Sequence, residues 1–236
     1  FYSHHYLDTL LEGDLKDALE GWQKTEEEGG PNHPEKRLAG LSKRYYEAVA
    51  QAAKSKRPLE RWAPLRDFHA HLLEALGYQY GRDAVPLDDG TALPVLCTET
   101  RDGAPFLWVV DAPLPSGEDQ TALDAQWLPE QLPTAPGHDE EAADGLELPS
   151  DGEQVLTVSE TLERVVFQQE APPRWVLLLG GHDVFLIERA KFAQGRYLRF
   201  KLDDLYARRQ TVALRAVVGL LHRDIVNPDD ALCLHD

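Results

Sequence analysis

The stretch Thr91–Pro115, TALPVLCTETRDGAPFLWVVDAPLP, decides the fold. Leu93–Thr100 and Phe106–Asp111 read as two strands folded back on each other by the turn Arg101-Asp102-Gly103. Phe106–Val110 is an unbroken apolar run, the pattern of a strand covered on both faces. The first strand carries Pro94 near its start, which places it nearer a sheet edge. Just upstream, Leu65, Phe68, Leu72, Leu73 and Leu76 share one face of a helix over Leu65–Leu76, and Gly77 is its natural stop. A helix feeding a hairpin that ends in a carboxylate is how many nuclease-like α/β cores begin, so the reading of function turns on Asp111.

Outward from this centre, a basic helix is expected over Pro34–Ala53. Leu38, Leu41, Tyr45, Ala48 and Val49 lie on one side of it, and Lys36, Arg37, Lys43 and Arg44 on the other. It runs into the loop Lys54-Ser-Lys-Arg-Pro58. The opening segment shows helical spacing at Tyr6, Leu7, Leu10 and Leu11, with Ser3 as a cap, and again at Leu15, Ala18, Leu19 and Trp22. Tyr78-Gln79-Tyr80 reads as a short strand, Leu87–Gly90 as a turn and Ala122–Leu128 as one short helix. Thr157 with Glu160 three residues on forms a capping-box pattern. Trp175–Leu179 and Val184–Glu188 read as a second hairpin, Tyr197–Leu202 as a third strand of that half, and Thr211–Leu221 as a closing helix. No element is expected in the tail from Asp224.

The fold class expected is therefore α/β, N-terminal helices followed by a mixed sheet flanked by helices. Its parts are a helical segment at 1–58, the first half of the core at 59–112, an acidic proline-rich loop or linker at 113–153, the second half at 154–224, and a tail at 225–236.

The net charge of −17 is segregated. Asp102–Glu163 holds 15 acidic residues and no Lys or Arg; the remainder carries 24 basic and 26 acidic residues, a net of −2. His33–Arg66 has nine basic residues against three Glu, and Arg189–Arg215 eight against two Asp. Global charge therefore does not exclude nucleic acid. Lys54, Lys56, Arg57 and Arg61 are the first choice for phosphate contacts, with a solvated helix face as the alternative. His138–Glu153, with seven acids, reads as a solvated acidic loop, or else a partner-docking or DNA-mimicking segment. Cys97 and Cys233 form no metal or redox motif and read as reduced thiols of a cytoplasmic protein. No apolar run approaches the roughly 18 residues of a membrane span. The start at Phe1 and the absence of methionine suggest a piece of a longer protein.

Chemical motifs are few. His4-His5 point different ways on a helix and bring no further ligands. Gly180-Gly181 is followed by a strand rather than a helix and reads as a hairpin turn, not a phosphate loop. His222-Arg223-Asp224 stands without the other kinase signatures. Metal-dependent nucleases cluster acids around Mg²⁺ and use a nearby Lys. The acids available are Glu74, Glu99 and Asp111, and Pro113 occupies the place of the lysine. That set reads as catalytically silent, with no resident metal; a live Mg²⁺-dependent endonuclease using the three acids is the alternative.

The opening FYSHHYLDTLL, the helix LRDFHAHLLEALGYQY and the block RWVLLLGGHDVFLIERAKFAQGRYLRFKLDDLY together resemble a known group. This is the N-terminal region of type IIG restriction–modification and phage-defence S-adenosylmethionine-dependent DNA methyltransferases. The resemblance implies a PD-(D/E)XK nuclease-like core in active or decayed form, with Asp111 at the second-strand acid and Pro113 at the catalytic lysine. It also implies DNA and defence-system proteins as partners of a parent adenine methyltransferase. The methyltransferase signatures, a cofactor-binding glycine motif and Asn-Pro-Pro-Tyr, do not occur here. S-adenosylmethionine would then belong to the parent and no cofactor to this chain. The expected function is that of a silent nuclease-like domain that positions DNA or docks partners. A protein-interaction module with a DNA-mimicking acidic segment is the other alternative.

Overall fold

The computed structural model describes residues 6, 10–88, 90–117, 119–127, 156–208, 211–229 and 233–235. The Ser3 cap, the His4-His5 pair, Asp89 and the acidic loop His138–Glu153 lie outside them. In chain order come α1 (Leu11–Asp14), α2 (Lys16–Glu27), α3 (Pro34–Gly40), α4 (Ser42–Ala52) and α5 (Pro58–Ala75). The strands β1 (Asp83–Pro86), β2 (Ala92–Arg101) and β3 (Ala104–Asp111) follow, then α6 (Val158–Arg164), β4 (Trp175–Gly180) and β5 (Asp183–Glu188). The chain continues with α7 (Arg189–Phe192), β6 (Tyr197–Lys201), α8 (Leu202–Arg208), α9 (Thr211–Leu221) and α10 (Arg223–Val226).

The β2–β3 hairpin forms because Asp102 and Gly103 accept positive φ, 53° and 79°. These are the angles a two-residue type I′ turn needs, and they place Arg101 opposite Ala104. The strands lie in sequence order in one six-stranded sheet, β1-β2-β3-β4-β5-β6. Neighbours are antiparallel except β3 and β4, which are parallel, with Leu107 opposite Trp175 and Asp111 opposite Leu179. β2 lies next to the sheet edge, as Pro94 suggests, with β1 the edge strand outside it and Ala84 opposite Pro94.

Alternation along the strands divides the core in two. Leu107, Val109, Leu177, Leu179, Val184 and Leu186 face α3, α4, α5, α8 and α9. Trp108, Val110, Val176, Leu178, Phe185 and Ile187 face α6, Leu123, Trp127 and Phe167. Both faces of the central strands are covered, which is why β4 and β5 are buried along their whole length. Leu11 and Leu15 dock the N-terminal helices on Leu220 and Ile225. The helical segment and the sheet share one apolar cluster, since Leu38, Tyr45, Ala48 and Ala52 pack with the first set.

Several local expectations change. The basic helix is two helices that meet at Leu41, just after Gly40, whose weak helix propensity favours a break there. The helix before the hairpin starts seven residues earlier than Leu65, at Pro58 in the first-turn position that tolerates a missing N–H. Arg61 therefore sits on α5. Tyr78–Tyr80 is not a strand: Tyr78 is buried and its hydroxyl donates to the Leu221 carbonyl at 2.9 Å. Ala122–Asp124 is a 3₁₀ turn, whereas the Thr157–Glu160 capping box forms as expected. The tail is not bare, because α10 forms there and the buried His235 reaches the Leu220 carbonyl through Nε2 at 2.9 Å.

Candidate functional site

Asp111 ends β3 with its side chain fully buried. One helical turn of α5 faces it: Arg66 and His69 are three residues apart and so lie on one side of the helix. His69 Nδ1 is 2.8 Å from Asp111 Oδ1, and Arg66 Nε is 3.0 Å from Oδ2. A carboxylate can only accept, so the His69 proton sits on Nδ1. His69 Nε2 is buried and has no partner among the described residues. The Arg66 guanidinium lies over the Trp62 ring at 4.5 Å, which closes the outer side. One oxygen of Asp111 is thus bonded to the His69 ring and the other paired with the Arg66 guanidinium.

The other two acids do not join it. Glu99 lies opposite Leu107 in the hairpin, four residues upstream of Asp111 on β3. That is about 13 Å along a strand, whereas oxygens sharing a Mg²⁺ ion each lie about 2 Å from it. Glu99 is held instead by Asn227 Nδ2 at 3.1 Å and Arg223 Nε at 3.4 Å. Glu74 is exposed near the end of α5, and its carbonyl accepts from Arg37. Glu74, Glu99 and Asp111 therefore do not form one metal site, and Mg²⁺ does not fit them. Among the described residues no group of three metal-binding side chains converges. Cys97, two residues before Glu99, is buried, and burial and the Glu99 charge push its thiol up to about 11, so it is no nucleophile.

Lys54, Lys56 and Arg57 stand exposed in the α4–α5 connection. Arg57 makes one solvent-exposed ion pair, to Glu60 at 3.2 Å, of the kind worth little in water. Arg61 is half-buried and lines a cavity of about 370 Å³ with Leu65, Leu114, Gln120 and His182.

A further constellation is absent from the sequence reading. The Tyr45 hydroxyl on α4 donates to Asp203 Oδ1 at 2.8 Å, and His182 Nδ1 lies 2.9 Å from the same hydroxyl and 3.2 Å from Asp203 Oδ2. Burial, then the bond to Asp203, pushes the Tyr45 phenol well above its ordinary range, so it stays protonated. Beside it, Arg199 binds Asp183 through two nitrogens at 2.8 and 3.0 Å. The local signal, Gly180-Gly181-His182-Asp183, reads as a turn and is one; its chemistry depends on Tyr45, 137 residues away.

His222, the third histidine centre, caps α10 and packs on the Trp22 ring at 4.5 Å. Burial holds its imidazole down to about 4, against the opposing pull of Asp224. The unfolded chain takes up this proton near 6.5 and the folded chain only near 4, so folding loses stability as pH falls from about 6.5 to about 4. The slope is at most about 1.4 kcal/mol per pH unit. Urea unfolding across that window should show it, and a His222→Asn variant, which keeps a capping oxygen, should flatten the curve. An unchanged slope in the variant would assign the effect elsewhere; His33 and His235, both lowered chiefly by burial, act in the same direction.

Comparison with known proteins returns nothing: no family model, curated protein or solved structure matches this chain. Among the described residues no helix is long and apolar enough to cross a membrane.

Proposed function

We propose that this chain is a nuclease-like domain that has lost cleavage and positions DNA. On this reading it is the N-terminal part of a cytoplasmic DNA adenine methyltransferase of the restriction–modification or phage-defence kind. The observation that carries the silent core is the Asp111 carboxylate, closed between His69 at 2.8 Å and Arg66 at 3.0 Å with Pro113 two residues on. A metal would have to displace the His69 ring from one oxygen and the Arg66 guanidinium from the other, and Pro113 stands where a lysine would polarise a water. The helix α5 leading into a hairpin that ends in this acid is the arrangement the nuclease-like reading asks for. DNA positioning draws on the exposed Lys54, Lys56 and Arg57 at the start of α5. Methyl transfer and its S-adenosylmethionine belong to the parent, and defence-system proteins are its further partners.

Two measurements test this. The Lys56→Ala/Arg57→Ala double variant should lower the slope of log K against log salt for duplex DNA by about two units. An unchanged slope removes the contact assignment. Plasmid incubated with the chain and Mn²⁺ should stay intact; cutting that Asp111→Asn abolishes would show a live enzyme.

A further inference from the structure

The two basic stretches of the chain meet at one end of the sheet. The cavity that Arg61 lines adjoins a second, of about 200 Å³, lined by Gly180, His182, Asp183, Arg199, Lys201 and Asp203. Both are also lined by Pro115, Gln120 and His182, so they form one groove. The groove lies at the carboxyl ends of β3 and β4, the parallel pair. Pro115 follows the end of β3 by four residues, and Gly180 ends β4. From there the chain leaves β3 for the face carrying α6 and leaves β4 by the turn into β5.

The charges of the lining sort into spent and free. Asp183 is held by both nitrogens of Arg199, and Asp203 by the Tyr45 hydroxyl and His182. Because Tyr45 gives its proton to Asp203, His182 must donate from Nδ1, which fixes the protonated nitrogen and leaves Nε2 without a partner among the described residues. The ring is half exposed at 49%, so Nε2 is open to a ligand. Lys201 ends β6 exposed and has no ion pair among the described residues, and the same holds for the half-buried Arg61 across the groove. With Asp183 paired to Arg199 and Asp203 held by Tyr45 and His182, Lys201 and Arg61 are the cations of the lining without an ion pair among the described residues.

We propose that this groove is a phosphate site. Lys201 and Arg61 hold the phosphate oxygens from the two sides of the groove, His182 lines it between them, and Tyr45 with Asp203 orients the histidine ring. The carrier is nucleic-acid backbone, and that part rests on the function proposed above: a phosphate here lies between the α4–α5 lysines and the second basic block.

The test uses the chain as it stands, with inorganic phosphate and a short single-stranded oligodeoxynucleotide as separate probes. Both are expected to shift the His182 ring resonances. Lys201→Ala, a surface change that leaves the core intact, is expected to weaken oligonucleotide binding about tenfold, the loss of one charge-assisted contact, and Lys201→Arg to restore it. Full affinity in Lys201→Ala, with loss in Lys56→Ala/Arg57→Ala, would overturn the groove and leave the DNA reading standing. A shift with inorganic phosphate that depends on Lys201, in a chain that binds no oligonucleotide, would uphold the phosphate site and remove the DNA reading. Unmoved His182 resonances with both probes would overturn the site outright.

Discussion

Asp111→Ala is expected to lower the unfolding free energy by about 3 kcal/mol, at the lower end of the 3–5 kcal/mol typical of breaking a buried ion pair. The substitution leaves Arg66 and His69 facing an empty space in the interior. His69 has no exposure, but Arg66 keeps 21% exposure of its side chain and can recover hydration, which sets the loss at the low end of that range. Asp111→Asn keeps the shape but must turn an NH₂ toward one of two donors, Arg66 or His69, so it should also destabilise, by less. Urea unfolding followed by circular dichroism measures both, and an unchanged m-value would show that the folded and unfolded states are otherwise comparable. A loss below about 1 kcal/mol for Asp111→Ala would mean that the carboxylate is hydrated and open to chemistry, which would undo the structural role assigned to it.

Gly77→Ala is the second large effect, about 3 kcal/mol, from two independent sources. Gly77 follows the last turn of α5 at φ +82°, where its N–H bonds the Glu74 carbonyl and the Tyr78 N–H bonds that of Leu73. That is the Schellman pattern, and a non-glycine residue there costs about 1–2 kcal/mol. An added Cβ would also lie 2.7 Å from His222 Cε1 and 2.9 Å from Nε2. The imidazole cannot easily retreat: it is buried, packed on Trp22, and its neighbour Arg223 donates its N–H to the Leu76 carbonyl at 2.9 Å. Overpacking of this kind adds about 1–3 kcal/mol. The two parts separate in a double-mutant cycle. In a His222→Ala background Gly77→Ala should cost only the backbone share, about 1–2 kcal/mol. Equal costs in both backgrounds would show that the ring is not the obstacle.

Gly77, Asp102-Gly103 and Thr157–Glu160 could be read from the chain because each acts within a few residues. A positive φ, a two-residue turn or a cap hydrogen bond depends on local geometry, and side chains announce it. Apolar patterning is equally local, and it identified β2, β3, β4 and β5 to within a few residues. It failed where two local signals competed: Gly40 broke a helix that periodicity alone would continue, and Pro58 began α5 a turn and more before its apolar stripe. Tyr78 carries strand propensity, yet burial and a bond to Leu221 fix it outside any strand.

Residues alone marked Asp111 as the acid ending the hairpin and Pro113 as the absent lysine. They could not show that Asp111 is closed by Arg66 and His69, since that contact spans 42 residues and needs α5 to cross the end of β3. Nor could they show the parallel pairing of β3 with β4, which brings residues 115 and 180 to one crevice and sets Tyr45, His182 and Asp203 around it. Spacing along a chain encodes which face of a helix or strand a side chain occupies. Which faces then meet is settled by burying apolar surface on both sides of the sheet at once, a condition on the whole chain that no short stretch carries.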